Sequence, residues 1–280
     1  MKSVVVTGAS TGIGWGCVKV LVAGGYRVFG GVRRNEDGER LSKEFGEAFR
    51  PLIFDVTDPK AVSAAAEEVK EAIGRDALSG PVNNAGIAVA GPLLYLKIDD
   101  FTRQLEVNLT GPLIVTQAFA PLLGVDRSRA GPPGRIVMIS SVGGRNAPPF
   151  LGAYAASKFG LEGLSESLRR EMMMFGVEVI IVAPGVVATP IWEKGEGAGA
   201  QFAETPYAPA IERPGALHAV GQPQGTAAGE DGEAVKTALT APKPRTRYTV
   251  APEPIRNALA NLLPKRFVDR IIARRLGLIA

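Results

Sequence analysis

Tyr154 and Lys158, four residues apart, carry the first suggestion of chemistry in this 280-residue chain. On a helix, positions four apart share one face, a turn from each other. A free phenol has a pKa near about 10 and is a poor base at neutral pH, but a neighbouring ammonium stabilises the phenolate and lowers that value. Such a pair can shuttle the proton that accompanies a hydride. Ser140 and Ser141 stand 14 and 13 residues before Tyr154, and a hydroxyl there can polarise a substrate carbonyl by hydrogen bonding. Asn108 falls inside a long helical pattern, where an amide is a poor helix former unless it has a task. Each residue alone also reads as a turn, a cap or solvated surface, and Tyr-x3-Lys is common in helices.

The elements that must position these groups alternate along the chain. Short β-branched runs at 3–7, 26–31, 50–55, 80–84, 135–140 and 177–183 read as strands. Helical patterns lie between them at 12–23, 36–46, 58–73, 99–123 and 153–175. In the last, Leu161, Leu164, Leu168, Met172 and Phe175 make a helical stripe. Strands joined by helix-length crossovers predict an α/β fold, a single-domain Rossmann-type doubly wound parallel sheet with helices on both faces. Ligands then bind beyond the carboxyl ends of the strands, at the switch point. One domain over 1–280 is expected. Within it, 190–235 reads as a substrate loop or lid and 253–280 as closing helices, split at Pro264. Residues 194–234 hold eight glycines and four prolines, a composition that also suits a loop without a role.

Thr7-Gly8-Ala9-Ser10-Thr11-Gly12-Ile13-Gly14 sits where the first strand turns into the first helix. Glycines allow a tight turn and close approach of backbone to a pyrophosphate, and the helix N-terminus offers free N–H groups to that anion. The spacing Gly-x3-Gly-x-Gly differs from the usual Gly-x-Gly-x-x-Gly. The second strand runs into Val32-Arg33-Arg34. An acid at this point would bond a ribose 2′-hydroxyl, and arginine suits a 2′-phosphate. NADP(H) is therefore favoured over NAD(H), with Glu36 and Asp37 near enough to leave NAD(H) open.

Composition narrows the classes further. Hydrophobic residues make up 46% and charged residues 21%, as in a globular chain. One cysteine, Cys17, and one histidine, His218, allow neither an intrachain disulfide nor an ordinary His/Cys metal site, so no metal is expected. The net charge of +4 is matched by residues 265–275 alone, with five basic residues and one acid. No basic stripe with interleaved aromatics runs through the body, which argues against a nucleic-acid partner. A strand beginning at Ser3 leaves no room for a signal peptide, and no apolar run could span a bilayer, so a cytoplasmic location is expected. In the tail, Arg266, Arg270 and Arg274 form a stripe with Val268, Ile271, Ile272 and Leu276 largely off it. A basic amphipathic helix can lie on an anionic membrane. Packing of its apolar face on its own domain or on an oligomer partner is the expectation here.

These motifs together resemble the short-chain dehydrogenase/reductase family over about residues 3–192. They are TGASTGIG (7–14), DVT (55–57), NNAG (83–86), the VNLTG around Asn108, ISS (139–141), YAASK (154–158) and APG (183–185). The resemblance implies an oxidoreductase that moves a hydride between nicotinamide and a carbonyl or alcohol. Tyr154 would be its acid/base, Lys158 would lower the tyrosine pKa and bond the nicotinamide ribose, and Ser141 would polarise the carbonyl. Asn108 would kink its helix and hold a water of the proton relay. Gly8, Ser10, Thr11, Gly12, Ile13 and Gly14 would cradle the pyrophosphate. Asp55 and Val56 would sit at the adenine, and Asn84, Ala85 and Gly86 along the ribose. Pro184, Gly185, Val187 and Thr189 would face the nicotinamide, while Arg33, with Arg34 beside it, would meet a 2′-phosphate. Relatives of this kind assemble as dimers or tetramers through helices near 99–123 and 153–175. YRVFGGVRR (26–34) and PRTRYTV (244–250) resemble the branch holding retinol, hydroxysteroid and 3-hydroxybutyrate dehydrogenases. Residues 194–234 depart from that branch. Rival readings are a cofactor-binding regulator without turnover, an NAD-dependent alcohol dehydrogenase, and an epimerase or dehydratase of the same superfamily. The intact Ser/Tyr/Lys set argues against the regulator.

Overall fold

A computed structural model describes residues 1–185, 187, 200–213, 228–251 and 263–279. Seven parallel strands form its sheet: β1 (Ser3–Thr7), β2 (Arg27–Val32), β3 (Phe49–Ile53), β4 (Gly80–Asn83), β5 (Arg135–Ile139), β6 (Glu178–Pro184) and β7 (Arg247–Val250). The strand order is β3-β2-β1-β4-β5-β6-β7, so the winding reverses between β1 and β4 and opens a crevice there. This is the doubly wound arrangement the alternating pattern predicts.

Alternation along each strand feeds two apolar layers. Val5 joins Phe29, Leu52 and Met138 on one face, and Val4 and Val6 join Val28, Val82 and Val137 on the other. The first layer is covered by α3 (Pro59–Ile73), α5 (Gly111–Phe119) and α6 (Gly152–Glu171). The second is covered by α1 (Gly12–Ala23) and by α2 (Asn35–Phe45), which contributes Leu41. Helix bounds follow local chemistry. The Asp58 carboxylate accepts from the N–H groups of Lys60 and Ala61, with Pro59 in the first turn, so α3 begins with a filled cap, worth about 1 kcal/mol.

Three elements differ from the sequence expectation. The helix expected over 99–123 is α4 (Ile98–Leu105), a π-helical turn over Glu106–Thr110, α5 and a 3-10 turn. An extra residue is accommodated at Asn108, a common device at functional sites. The strand β7 was not expected. It is an edge strand of four half-exposed residues, so it lacks the continuous apolar run that marks the inner strands. The loop expected to extend to 235 ends earlier. Between a short α7 (Ala208–Ile211) and β7, α8 begins at Ala228 and runs to Thr240. Glycines that read as mobility serve contact here: a Cβ on Gly16 of α1 would lie 2.3 Å from the Ala228 carbonyl oxygen, and one on Gly232 would lie 2.7 Å from the Gly16 oxygen. The helix expected over 253–263 lies outside the described residues. The one after Pro264 is present as α9 (Lys265–Leu276), which packs Ile272 and Leu276 inward but leaves Ile271 exposed, so the expected apolar face is only partly covered. No helix among the described residues is long and apolar enough to cross a membrane.

Candidate active site

At the β1–β4 reversal the glycine turn is pinned to the next strand. The Thr7 hydroxyl oxygen accepts from the N–H groups of Asn84 and Ala85, each at 3.0 Å. The Asn84 amide in turn donates to the carbonyls of Thr7 (2.9 Å) and Gly8 (3.1 Å). Space for side chains is gone. Gly8 has φ +64°, and a Cβ on it would lie 2.9 Å from Ala85 Cα; a Cβ on Gly14 would lie 2.1 Å from the Gly8 oxygen. The first intrahelical backbone bond of α1 runs from Trp15 to Thr11. The N–H groups of Gly12, Ile13 and Gly14 thus precede the hydrogen-bond ladder. Thr11 makes no side-chain cap, and no acid lies in the first turn. An open, positive helix terminus under a glycine turn fits a pyrophosphate.

A cleft of about 570 Å³ extends from this turn, within the range of small-molecule sites. Gly8, Ser10, Thr11, Gly12 and Ile13 form one wall; Asn84, Ala85 and Gly86 form the floor, and Pro184, Gly185 and Val187 the far end. Gly14 lies behind the wall, where its lack of a side chain lets Asn84 and Gly8 approach. Thr189 lies outside the described residues.

At the opposite end stand Arg33, Asp55 and Val56. Burial pushes the Asp55 carboxyl up, but two bonds from Thr57, with Arg33 and Arg103 beside it, outweigh this and hold it below its usual range. Arg103 and Val107 also line this end, and the sequence reading missed both. Their signal was faint: they reach the cleft from α4 and from the π-helical turn that follows it, far in sequence from Asp55. Arg34 turns away from the cleft onto Asp37, at 2.9 Å. Arg40, also missed, donates to the Ser10 carbonyl at 2.6 Å and ties α2 to the glycine turn.

Ser141, Tyr154 and Lys158 meet on the cleft wall. Ser141 follows β5 and caps a short 3-10 turn; its Oγ accepts from Gly143 N–H at 3.0 Å and hydrogen-bonds Tyr154. Tyr154 lies in the first turn of α6, and Lys158 follows one turn later with Nζ 5.7 Å from the tyrosine ring centre. That ammonium donates to the Ile139 carbonyl at 2.8 Å. The electrostatics differ from the sequence expectation of a phenol lowered by its lysine. Burial raises the Tyr154 pKa, with the Ser141 bond opposing. Burial also lowers Lys158 to about 8, and Glu162 opposes that change. Removing both groups from water disfavours both charged forms.

Asn108 lies behind the wall. Its Oδ1 accepts from Ile87 N–H at 2.9 Å, and its Nδ2 donates to the Ile87 carbonyl (3.0 Å) and to Ser157 Oγ (3.1 Å). Ser157 in turn donates to the Tyr154 carbonyl at 2.7 Å. The fully buried Gln104, which sequence reasoning did not single out, bonds the backbone of Ile87 and Val89. It lies four residues before Asn108, so a second amide on the same helix face was the signal available.

A parallel doubly wound sheet, an anion-ready glycine turn and a buried Ser/Tyr/Lys group at the strand ends define a dinucleotide-dependent oxidoreductase. The comparisons agree. A family profile described as short chain dehydrogenase matches residues 2–197. The chain is 37% identical over 281 residues to an NADPH-dependent 3-dehydrocapnine reductase of Ornithobacterium rhinotracheale, covering 99% of this chain and 98% of that protein. It is 42% identical over 187 residues to retinol dehydrogenase 5 of Mus musculus, covering 66% of this chain and 57% of that protein. A crystal structure of a short-chain dehydrogenase from Streptomyces avermitilis superposes with TM-score 0.77 at 26% identity, over 99% of this chain and 96% of that one. The chain belongs to the short-chain dehydrogenase family and is an oxidoreductase.

Proposed function

We propose that this oxidoreductase uses NADPH to reduce a ketone or aldehyde on a lipophilic substrate, with Tyr154 as proton donor. The observation that carries the reading is the convergence of Ser141, Tyr154 and Lys158 on one cleft whose Asp55 end bears Arg33. Bound NADPH supplies the hydride. The Gly143 N–H fixes the Ser141 oxygen, and the serine hydroxyl, hydrogen-bonded to Tyr154, would turn to donate to the substrate carbonyl. The Tyr154 phenol, kept protonated by its burial, gives its proton to the same oxygen as the carbon is reduced. The Lys158 ammonium stabilises the phenolate left behind. Asn108 and Gln104 hold the backbone over Ile87–Val89 beside this centre, and Asn108 reaches the α6 backbone through Ser157.

Three points support NADPH over NADH. Arg33 faces the cleft. Of the two acids that keep NAD(H) open, Glu36 and Asp37, neither lines the cleft, and the Asp37 carboxylate is engaged by Arg34 and Arg40. The Ornithobacterium relative is named as NADPH-dependent. A ketone substrate is supported by that relative, named for a 3-dehydro compound, and a lipophilic one by retinol dehydrogenase 5. Lipophilic character is also supported by the apolar surroundings of Tyr154, where Ala90 and Leu151 pack with it. A homodimer or homotetramer in the cytoplasm is proposed with it. Phe159, exposed on α6, is the kind of side chain such an interface would cover.

The test is a fluorescence titration of the purified protein with NADPH and with NADH, followed by turnover on a panel of ketones and the matching alcohols. Tighter NADPH binding and reduction of apolar ketones are expected. Tighter NADH binding with alcohol oxidation would move the assignment to an NAD-dependent alcohol dehydrogenase.

A further inference from the structure

The helix α9 is held to the body by one face. Ile272 and Leu276 enter an apolar cluster with Phe150, Phe202, Ala210 and Ile211. Among the described residues the opposite face is unpartnered, and it is strongly patterned. Phe267 and Ile271, four residues apart, are 54% and 51% exposed. At about 100° per residue, Arg270 and Arg274 lie beside that pair on one side and Arg275 on the other. The single acid of the helix, Asp269, falls on the far side from Phe267. Leu278 and Ile279, just beyond the helix, are exposed as well. None of the five basic residues of α9 is ion-paired among the described residues.

We propose that this outer face docks on an anionic lipid surface, with Phe267 and Ile271 entering the acyl boundary and the flanking arginines meeting headgroup phosphates. Two apolar side chains framed by cations on a helix lying along the surface is the pattern such binding requires. Charge decides the occupant. A second copy of this chain, packed face to face about a two-fold axis, would set arginine against arginine, whereas an anionic bilayer offers the opposite sign. The position of the helix gives the contact a use. Phe150, in the cluster that anchors α9, adjoins Leu151, which packs with Tyr154. A substrate drawn from a bilayer would thus arrive beside the proton donor. That last point rests on the lipophilic-ketone reading, but the docking face does not.

The experiment is co-sedimentation of the full chain with phosphatidylcholine vesicles, with and without phosphatidylglycerol, in the absence of substrate and dinucleotide. Binding is expected only to the anionic vesicles and should weaken as salt is raised. Arg270→Ala and Arg274→Ala should each weaken it about fivefold, and Phe267→Ser with Ile271→Ser should abolish it at unchanged thermal stability. Absence of binding to anionic vesicles would overturn the proposal. So would a wild-type dimer that the Phe267→Ser, Ile271→Ser variant converts to monomer while neither protein binds vesicles, because the face would then belong to a second copy. No turnover is read, so either result leaves the reductase reading to its own test.

Discussion

Arg247 of β7 grips the Glu162 carboxylate of α6, with Nε 3.2 Å from each oxygen. The same guanidinium donates to the Ser141 carbonyl at 3.4 Å, and Arg145 approaches Glu162 at 3.4 Å from the other side. The edge strand, the catalytic helix and the serine loop are thereby joined through one carboxylate. Glu162 stands one turn beyond Lys158 and opposes the burial that lowers that ammonium to about 8. If reduction needs the charged lysine, kcat falls as pH rises through about 8. Removing the anion takes away the influence that raises Lys158, so Glu162→Gln should shift this alkaline limb to lower pH. A kcat–pH profile of both proteins checks it, and an unmoved limb would show that Glu162 only braces β7.

Tyr154→Phe keeps the ring in its apolar surroundings and removes the hydroxyl, with its proton and its bond to Ser141. Turnover should drop by about 100- to 10,000-fold, with NADPH affinity little changed. Steady-state rates and a cofactor titration separate the two effects. Turnover near wild type would place the proton donor elsewhere.

Arg33 and Arg103 both stand at the Asp55 end of the cleft. A charge-assisted bond to a phosphate contributes roughly 1.5–3 kcal/mol, so Arg33→Ala should weaken NADPH about ten- to a hundredfold and leave NADH nearly unaffected. Arg103→Ala should act in the same direction. Parallel titrations at two salt concentrations provide the measurement, and an equal loss for both nucleotides would point to general distortion of the adenine end.

Asp231 is buried in the second apolar layer, and neither carboxylate oxygen has a hydrogen-bond partner among the described residues. Burial is the main cause that raises its pKa to about 7, with Glu230 adding to it. The folded value lies above the usual 3.8, so the folded protein binds the extra proton between about pH 4 and 7. Stability is therefore lost as pH rises through that window. Asp231→Asn cannot ionise, so its stability relative to wild type should grow from pH 5 to pH 8, by about 2 kcal/mol. Denaturant unfolding at the two pH values tests this; a constant difference would mean that Asp231 finds water or a partner on folding.

The sequence alone determined the local elements and the chemistry-bearing ends of the strands. The β-branched run 3–7 and the Gly24-Gly25 stop place β1 and α1 where the structure has them, because strand and helix periods are written in neighbouring residues. Tyr154 and Lys158 share a face for the same reason, since four residues make about one turn. Tertiary structure decided what distance along the chain hides. β7 exists because β6 offers it an edge; Tyr248, Thr249 and Val250 suit a strand, but four half-exposed residues are too short a run to declare one. α8 lies close against α1 because Gly16 and Gly232 leave room for it, although its glycines suggest a loop when read locally. Arg247 finds Glu162 across 85 positions of sequence, and Arg103 stands beside Asp55 only in the folded chain. The direction of the tyrosine shift was likewise hidden, since it is set mainly by how deeply Tyr154 is buried. Desolvation belongs to the packed core as a whole and has no signature in a four-residue spacing.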